Sequence, residues 1–197
     1  MTSQLQTRAM MHKVHNALTD LNLETLTVCA PHMLQVQPVT AVLLALGSNY
    51  QADYYLPRVR DSLAMLGQIK LSTAFQNPDF TATLEQPKPD YTNQCVYIAL
   101  TSPMTLQQLQ QTFKKFESDC NRQRVTEAQT TSKKVTMDID ILLIKTALDK
   151  NSLSREKTFK TPDITRTTWI IMADRYPFKA HERAGIEELI LNGFLKD

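Results

Sequence analysis

Val135-Thr136-Met137-Asp138-Ile139-Asp140-Ile141-Leu142-Leu143-Ile144 is a run of β-branched and apolar residues interrupted by two carboxylates. Its length and composition predict a buried strand rather than a helix. Side chains two apart in a strand share a face, roughly 6.6 Å apart along the chain, so Asp138 and Asp140 point one way and Met137, Ile139 and Ile141 the other. Two like charges side by side in an apolar strand are costly unless a cation neutralises them. Two readings follow from this stretch alone: a structural pair that faces water or the nearby Lys133 and Lys134, or a pair of ligands to a divalent metal.

Before this strand the organised chain begins with Ala41-Val42-Leu43-Leu44-Ala45-Leu46, a continuous apolar run of the kind found in a central strand covered on both faces. Gly47-Ser48-Asn49 ends it, with a glycine for the turn and two small polar side chains able to bond exposed main chain. From about Asp53, a candidate N-cap, Leu56, Val59, Leu63 and Leu66 form one helical stripe that Gly67 can stop. Gln68 to Phe75 alternates as a second strand. Pro78, Pro87 and Pro89 then predict a long loop up to Tyr91. A third strand spans about Asn93 to Thr101. A second helix starts near Thr105, where Gln108 completes a capping box, and buries Leu106, Leu109, Phe113, Phe116 and Cys120 with Glu117 at the stripe's margin.

The order is strand, helix, strand, strand, helix, strand. It predicts an α+β, ferredoxin-like βαββαβ fold, an antiparallel sheet with helices packed on one face. Pro162 to Asp174 is expected to add an edge strand through Trp169, Ile170 and Ile171, and Glu182 to Asn192 a last helix. The chain divides into an appendage at 1–38, partly flexible or a short helix, and a domain at 39–197.

Composition narrows the function. The 197 residues carry a net charge of +2 and no basic stripe interleaved with aromatics, so nucleic acid is not an expected partner. Cys29, Cys95 and Cys120 lack metal-ligand spacing and suit a reducing, cytoplasmic compartment. No apolar run approaches the roughly 20 residues that cross a bilayer, and 1–20 has no signal-peptide core, so no membrane partner is expected.

Gly47-Ser48-Asn49, Pro89-Asp90-Tyr91-Thr92-Asn93, Phe116-Glu117 with Arg122 and Arg124, and Met137-Asp138-Ile139-Asp140-Ile141 come in an order that resembles the 6-hydroxymethyl-7,8-dihydropterin pyrophosphokinase family over about residues 40–173. The resemblance implies transfer of pyrophosphate from ATP to the hydroxymethyl oxygen of the pterin, with release of AMP, in folate biosynthesis. It makes Asp138 and Asp140 ligands of two Mg2+ ions bound with ATP, which suits a cation held by one or two carboxylates plus substrate phosphates. It makes Tyr91, Asn93 and Gly47 the pterin pocket, Glu117 a nucleotide contact, and Arg122 and Arg124 phosphate-facing arginines suited to that role by their guanidinium fork. A monomer is expected. The chain departs from the pattern at three places: Val135 stands where the family has an arginine, Asp163 where it has a histidine, and Trp169 where it has a second arginine. Lys134, one residue away from the first, is the candidate replacement cation on the nucleotide side. The departures keep two alternatives open: a weak or inactive pterin- or nucleotide-binding relative, and another two-metal nucleotidyl or phosphoryl transferase on the same fold.

Overall fold

The apolar run at 41–46 becomes the middle of β2 (Pro38–Ser48), whose residues from Ala41 to Ser48 are all buried. The computed structural model describes residues 21–78, 82–85, 88–122, 134–147 and 167–193. Burial on both faces is possible because β2 is hydrogen-bonded on both edges, antiparallel to β5 (Tyr91–Thr105) and to β6 (Asp138–Ala147). The remaining strands are β1 (Thr27–Cys29), β3 (Gly67–Leu71), β4 (Phe75–Asn77) and β7 (Thr167–Met172). The sheet order is β1-β7-β6-β2-β5-β3, with β4 also on β5. Helix α1 (Ala52–Ala64) joins β2 to β3, and α2 (Leu106–Asp119) joins β5 to β6, so β2-α1-β3-β5-α2-β6 is the expected α+β, ferredoxin-like core.

The two crossover helices cover one face. Tyr55, Leu56, Val59 and Leu63 of α1 and Leu106, Leu109 and Phe113 of α2 pack on Val42, Leu44 and Leu46 of β2 and on Val96 and Ile98 of β5. The capping box at the start of α2 forms as the sequence predicts: Gln108 N donates to Thr105 Oγ1 at 3.2 Å, and Thr105 N to Gln108 Oε1 at 2.8 Å. Helix α1 starts earlier than expected. Its N-cap is Gln51, in the left-handed region with φ 51°, and Asp53 sits in the first turn, where its charge suits the positive end of the helix dipole.

The second expected strand divides in two at Ser72. This side chain accepts from Cys95 N at 3.0 Å while its own N–H donates to Cys95 O, so it takes over the ladder where the chain bends between β3 and β4. The Asp138/Asp140 strand starts three residues later than its apolar run suggests. Val135 lies ahead of it, with its carbonyl accepting from Asn49 N at 3.0 Å and its N–H donating to Asn49 Oδ1 at 2.6 Å. Between Leu43 and Leu44 the register of β6 slips by a residue, a bulge that sends both Leu142 and Leu143 to the face opposite Ile139 and Ile141.

Two elements extend the core. Strand β1, within the stretch set apart as 1–38, pairs parallel with β7 and makes the sheet mixed, while Leu23 and Leu34 around it are buried. Helix α3 (Ala180–Leu191) covers the second face, with Ile186 and Leu189 against Ala41, Leu43, Cys95 and Trp169. No helix among the described residues is long and apolar enough to cross a membrane. Of the stretch at 1–38, expected to be partly flexible or a short helix, residues 1–20 lie outside the described residues.

Contact of α3 with β5 depends on Gly185. A Cβ added there would lie 2.6 Å from Cys95 Sγ and 2.9 Å from Cys95 Cβ. Gly185→Ala is therefore expected to lower stability by about 1–3 kcal/mol in urea unfolding. Adding Cys95→Ala, which removes the nearest atom, should recover part of the loss.

Candidate active site

Register assembles the site before any long side chain does. Gly47 stands opposite Asn93 of β5 and Asp138 of β6, and Ala45 opposite Cys95 and Asp140. Directly opposed residues share a face, so Asn93, Gly47 and Asp138 form one row and Cys95, Ala45 and Asp140 the next. Tyr91, two residues before Asn93, lies on the same side of β5. An added Cβ on Gly47 would come 3.2 Å from Asn93 Oδ1 and 3.9 Å from the Tyr91 ring. The absence of that carbon opens a cavity of about 260 Å³ lined by Gly47, Tyr91, Asn93, Asp138, Asp140 and the start of α3.

A second cavity, of about 420 Å³, lies between α2, β6 and the 3₁₀ turn Ala173–Arg175 that follows β7. Glu117, Arg122, Asp138, Asp140 and Arg175 line it, with Lys114 and Phe113. The buried Glu117 accepts from Ile139 N at 2.9 Å and so ties α2 to the residue between the two aspartates. At the end of α2, Asn121 takes the left-handed conformation with φ 58°. Arg122 N then donates to Glu117 O and Asn121 N to Ser118 O, a Schellman closure that turns the chain back on the helix. It carries the Arg122 guanidinium to 3.7 Å from Asp138 Oδ1.

Arg175 is the functional candidate that sequence reasoning missed. Its Nη1 donates to Asp140 Oδ2 at 2.9 Å and its Nη2 lies 2.5 Å from Asp140 Oδ1, a two-point fork on one carboxylate. Burial and the neighbouring Asp138 charge push the Asp140 carboxyl up to about 6, although Arg175 and Lys179 pull it down. Lys179, His181 and Glu182, at the start of α3, line the smaller cavity and were also not anticipated. None of these residues lies near the aspartates in sequence, and only the docking of β7 and α3 brings them in.

Other sequence candidates fall elsewhere. Lys134 holds its ammonium 4.6 Å from the centre of the Tyr50 ring and lines neither of these cavities. Val135 is 2% exposed and Trp169 is 2% exposed, so both departures from the family pattern are core residues, Trp169 beside Tyr97. Arg124 and Asp163 lie outside the described residues.

The donor set discriminates between metals. Among the described residues no cluster of three or more His, Cys, Asp or Glu could hold an ion. Two carboxylates on one sheet face, with Asp138 41% exposed toward the cavities, fit a hard divalent cation that completes its shell with water and phosphate oxygens. They do not fit a closed four-ligand zinc site.

The family model described as 7,8-dihydro-6-hydroxymethylpterin-pyrophosphokinase matches residues 43–169 of the chain. No curated protein matches the chain.

Two outcomes follow from the geometry. Glu117→Ala removes the acceptor of the buried Ile139 N–H and is expected to cost about 1–3 kcal/mol in chemical denaturation, with Glu117→Gln, which keeps an acceptor, costing less. Because the folded-state pKa of Asp140 is raised, the folded protein holds the extra proton between about pH 4 and pH 6. With a chelator present, stability should therefore fall as pH rises through that interval. Asp140→Asn should remove this part of the decline, worth up to about 3 kcal/mol, in denaturation curves taken across the range.

Proposed function

Because the chain belongs to the 7,8-dihydro-6-hydroxymethylpterin-pyrophosphokinase family, we propose that it transfers the terminal pyrophosphoryl group of ATP to the hydroxymethyl oxygen of a dihydropterin in folate biosynthesis, with Mg2+ held by Asp138 and Asp140. The observation that carries this reading is that the two cavities share these aspartates as a common wall. Two substrates that reach one carboxylate pair from two sides meet with their reacting atoms aligned, which is the main requirement of phosphoryl transfer.

In this reading the pterin occupies the smaller cavity. Tyr91 offers a ring for a flat heterocycle to pack against, and the Asn93 amide can both donate to and accept from its edge. Gly47 leaves the sheet surface bare beneath it. The nucleotide takes the larger cavity, with Glu117 and Lys114 from α2 on one side and Arg122 and Arg175 toward the phosphates. The pterin hydroxyl oxygen bonds to the β-phosphorus and releases its proton to solvent, the bond from that phosphorus to the α,β-bridging oxygen breaks, and AMP leaves with that electron pair. Mg2+, when bound, supplies charge neutralisation on the phosphate oxygens and polarises the attacked phosphorus. Arg122, and Arg124 as the resemblance implies, steady the phosphate chain.

The buried state of Val135 and Trp169 favours a second reading, in which the chain binds these ligands without turning them over. Assay of purified protein for AMP, with ATP and hydroxymethyldihydropterin supplied together and separately, decides between them. Turnover that requires both substrates is expected, with Asp138→Ala and Asp140→Ala each lowering kcat by at least about a hundredfold. Asn93→Ala should raise the pterin KM about tenfold. Calorimetric binding of either ligand with no AMP would establish the second reading. An Asn93→Ala enzyme with unchanged kinetics would point to a different transferase.

A further inference from the structure

The cation nearest Asp140 comes from a place that neither the strand pattern nor the resemblance assigns. β7 ends at Met172, the 3₁₀ turn Ala173–Arg175 follows, and the last residue of that turn reaches back to β6. Its guanidinium meets both Asp140 oxygens, while its side chain stays 38% exposed and lines the nucleotide-side cavity. Asp140 itself is 13% exposed. A group that is more than a third exposed and carried on a short turn can leave its partner, whereas a carboxylate in a central ladder cannot follow it.

We propose that Arg175 competes with the divalent cation for Asp140 and, once displaced, is the guanidinium that meets the phosphate chain of the nucleotide. This inference rests on the metal and nucleotide reading of the site. Two positive groups cannot share two carboxylate oxygens without repulsion, and the fork takes one lone-pair direction on each oxygen. Displacement does not leave the guanidinium unpaired: Asp174 Oδ2 lies 3.9 Å from its Nε, and the cavity that both residues line is where the triphosphate brings anionic oxygens suited to the two-point fork that the single contact with Asp174 does not provide. Metal and nucleotide binding are thereby coupled: the ion alone must expel Arg175, while the ion arriving with phosphates gives Arg175 a new partner. Arg175 also restores cationic character to a chain with Val135 and Trp169 at positions that face the core.

The test uses the full chain and Mn2+ alone, followed by electron paramagnetic resonance of the free ion, and then ATP titrated in the presence of Mg2+. Arg175→Gln is expected to bind Mn2+ about tenfold more tightly than the wild type in the absence of nucleotide, and to bind ATP with Mg2+ about tenfold more weakly. Arg175→Lys, which keeps the charge without the fork, should fall between the two proteins in both titrations. Mn2+ binding to Arg175→Gln that is unchanged or weaker overturns the competition, since the arginine would then be orienting Asp140 for the ion. Unchanged ATP affinity overturns the phosphate role. Failure of both proteins to bind Mn2+ overturns the metal reading itself and this inference with it. Thermal melts of the three proteins, each giving one cooperative transition near the wild-type midpoint, tie these differences to the site rather than to the fold.

Discussion

The double pairing of β2 is the constraint on which the rest depends. A strand hydrogen-bonded on both edges and covered on both faces has no freedom of register, because a slip of one residue would turn Val42, Leu44 and Leu46 out of the core beneath α1 and α2. That fixed register sets Gly47 between Asn93 and Asp138, and Ala45 between Cys95 and Asp140. The site residues are therefore held by backbone ladders rather than by loops. Small residues at the centre of each row give the flanking side chains room over the sheet.

Holding carboxylates in such a sheet creates an electrostatic problem, and the molecule meets it unequally. Asp138, at the start of β6, is open toward both cavities and has Arg122 nearby. Asp140, one step deeper, is nearly buried and relies on the Arg175 fork. Even so, burial and Asp138 leave its carboxyl with a raised affinity for a proton. In the proposed reading, a divalent cation would complete the neutralisation that the fold leaves partial for this pair. The cations that approach it sit at element ends, Arg122 after a helix and Arg175 after a strand, where backbone turns can aim long side chains.

The same contrast explains how much could be read beforehand. The βαββαβ series was legible because its elements announce themselves locally: an unbroken apolar run for β2, a helical stripe with a capping box for α2, and alternation for β5. Asp138 and Asp140 were visible because two carboxylates in an apolar strand violate the surrounding pattern. The N-cap of α1 at Gln51, the division of the second strand at Ser72 and the late start of β6 were not visible, since each turns on hydrogen bonds made by one side chain or one dihedral.

What the sequence by itself determined was the order of elements, the two crossover helices on one face, and Asp138 and Asp140 as a pair at odds with the apolar strand around them, whereas Tyr91, Asn93 and Glu117 stood out only through the family resemblance. Periodicity and local pattern carry that information, because propensity and amphipathicity act over a few residues. Only the tertiary structure decided that Asn93, Gly47 and Asp138 form one row, that α3 closes the opposite face against Cys95, and that Arg175 rather than Lys134 stands beside Asp140. Those outcomes depend on which strands become neighbours and where a turn after β7 points. Such contacts between residues remote in the chain follow from packing the whole sheet, and no local stretch encodes them.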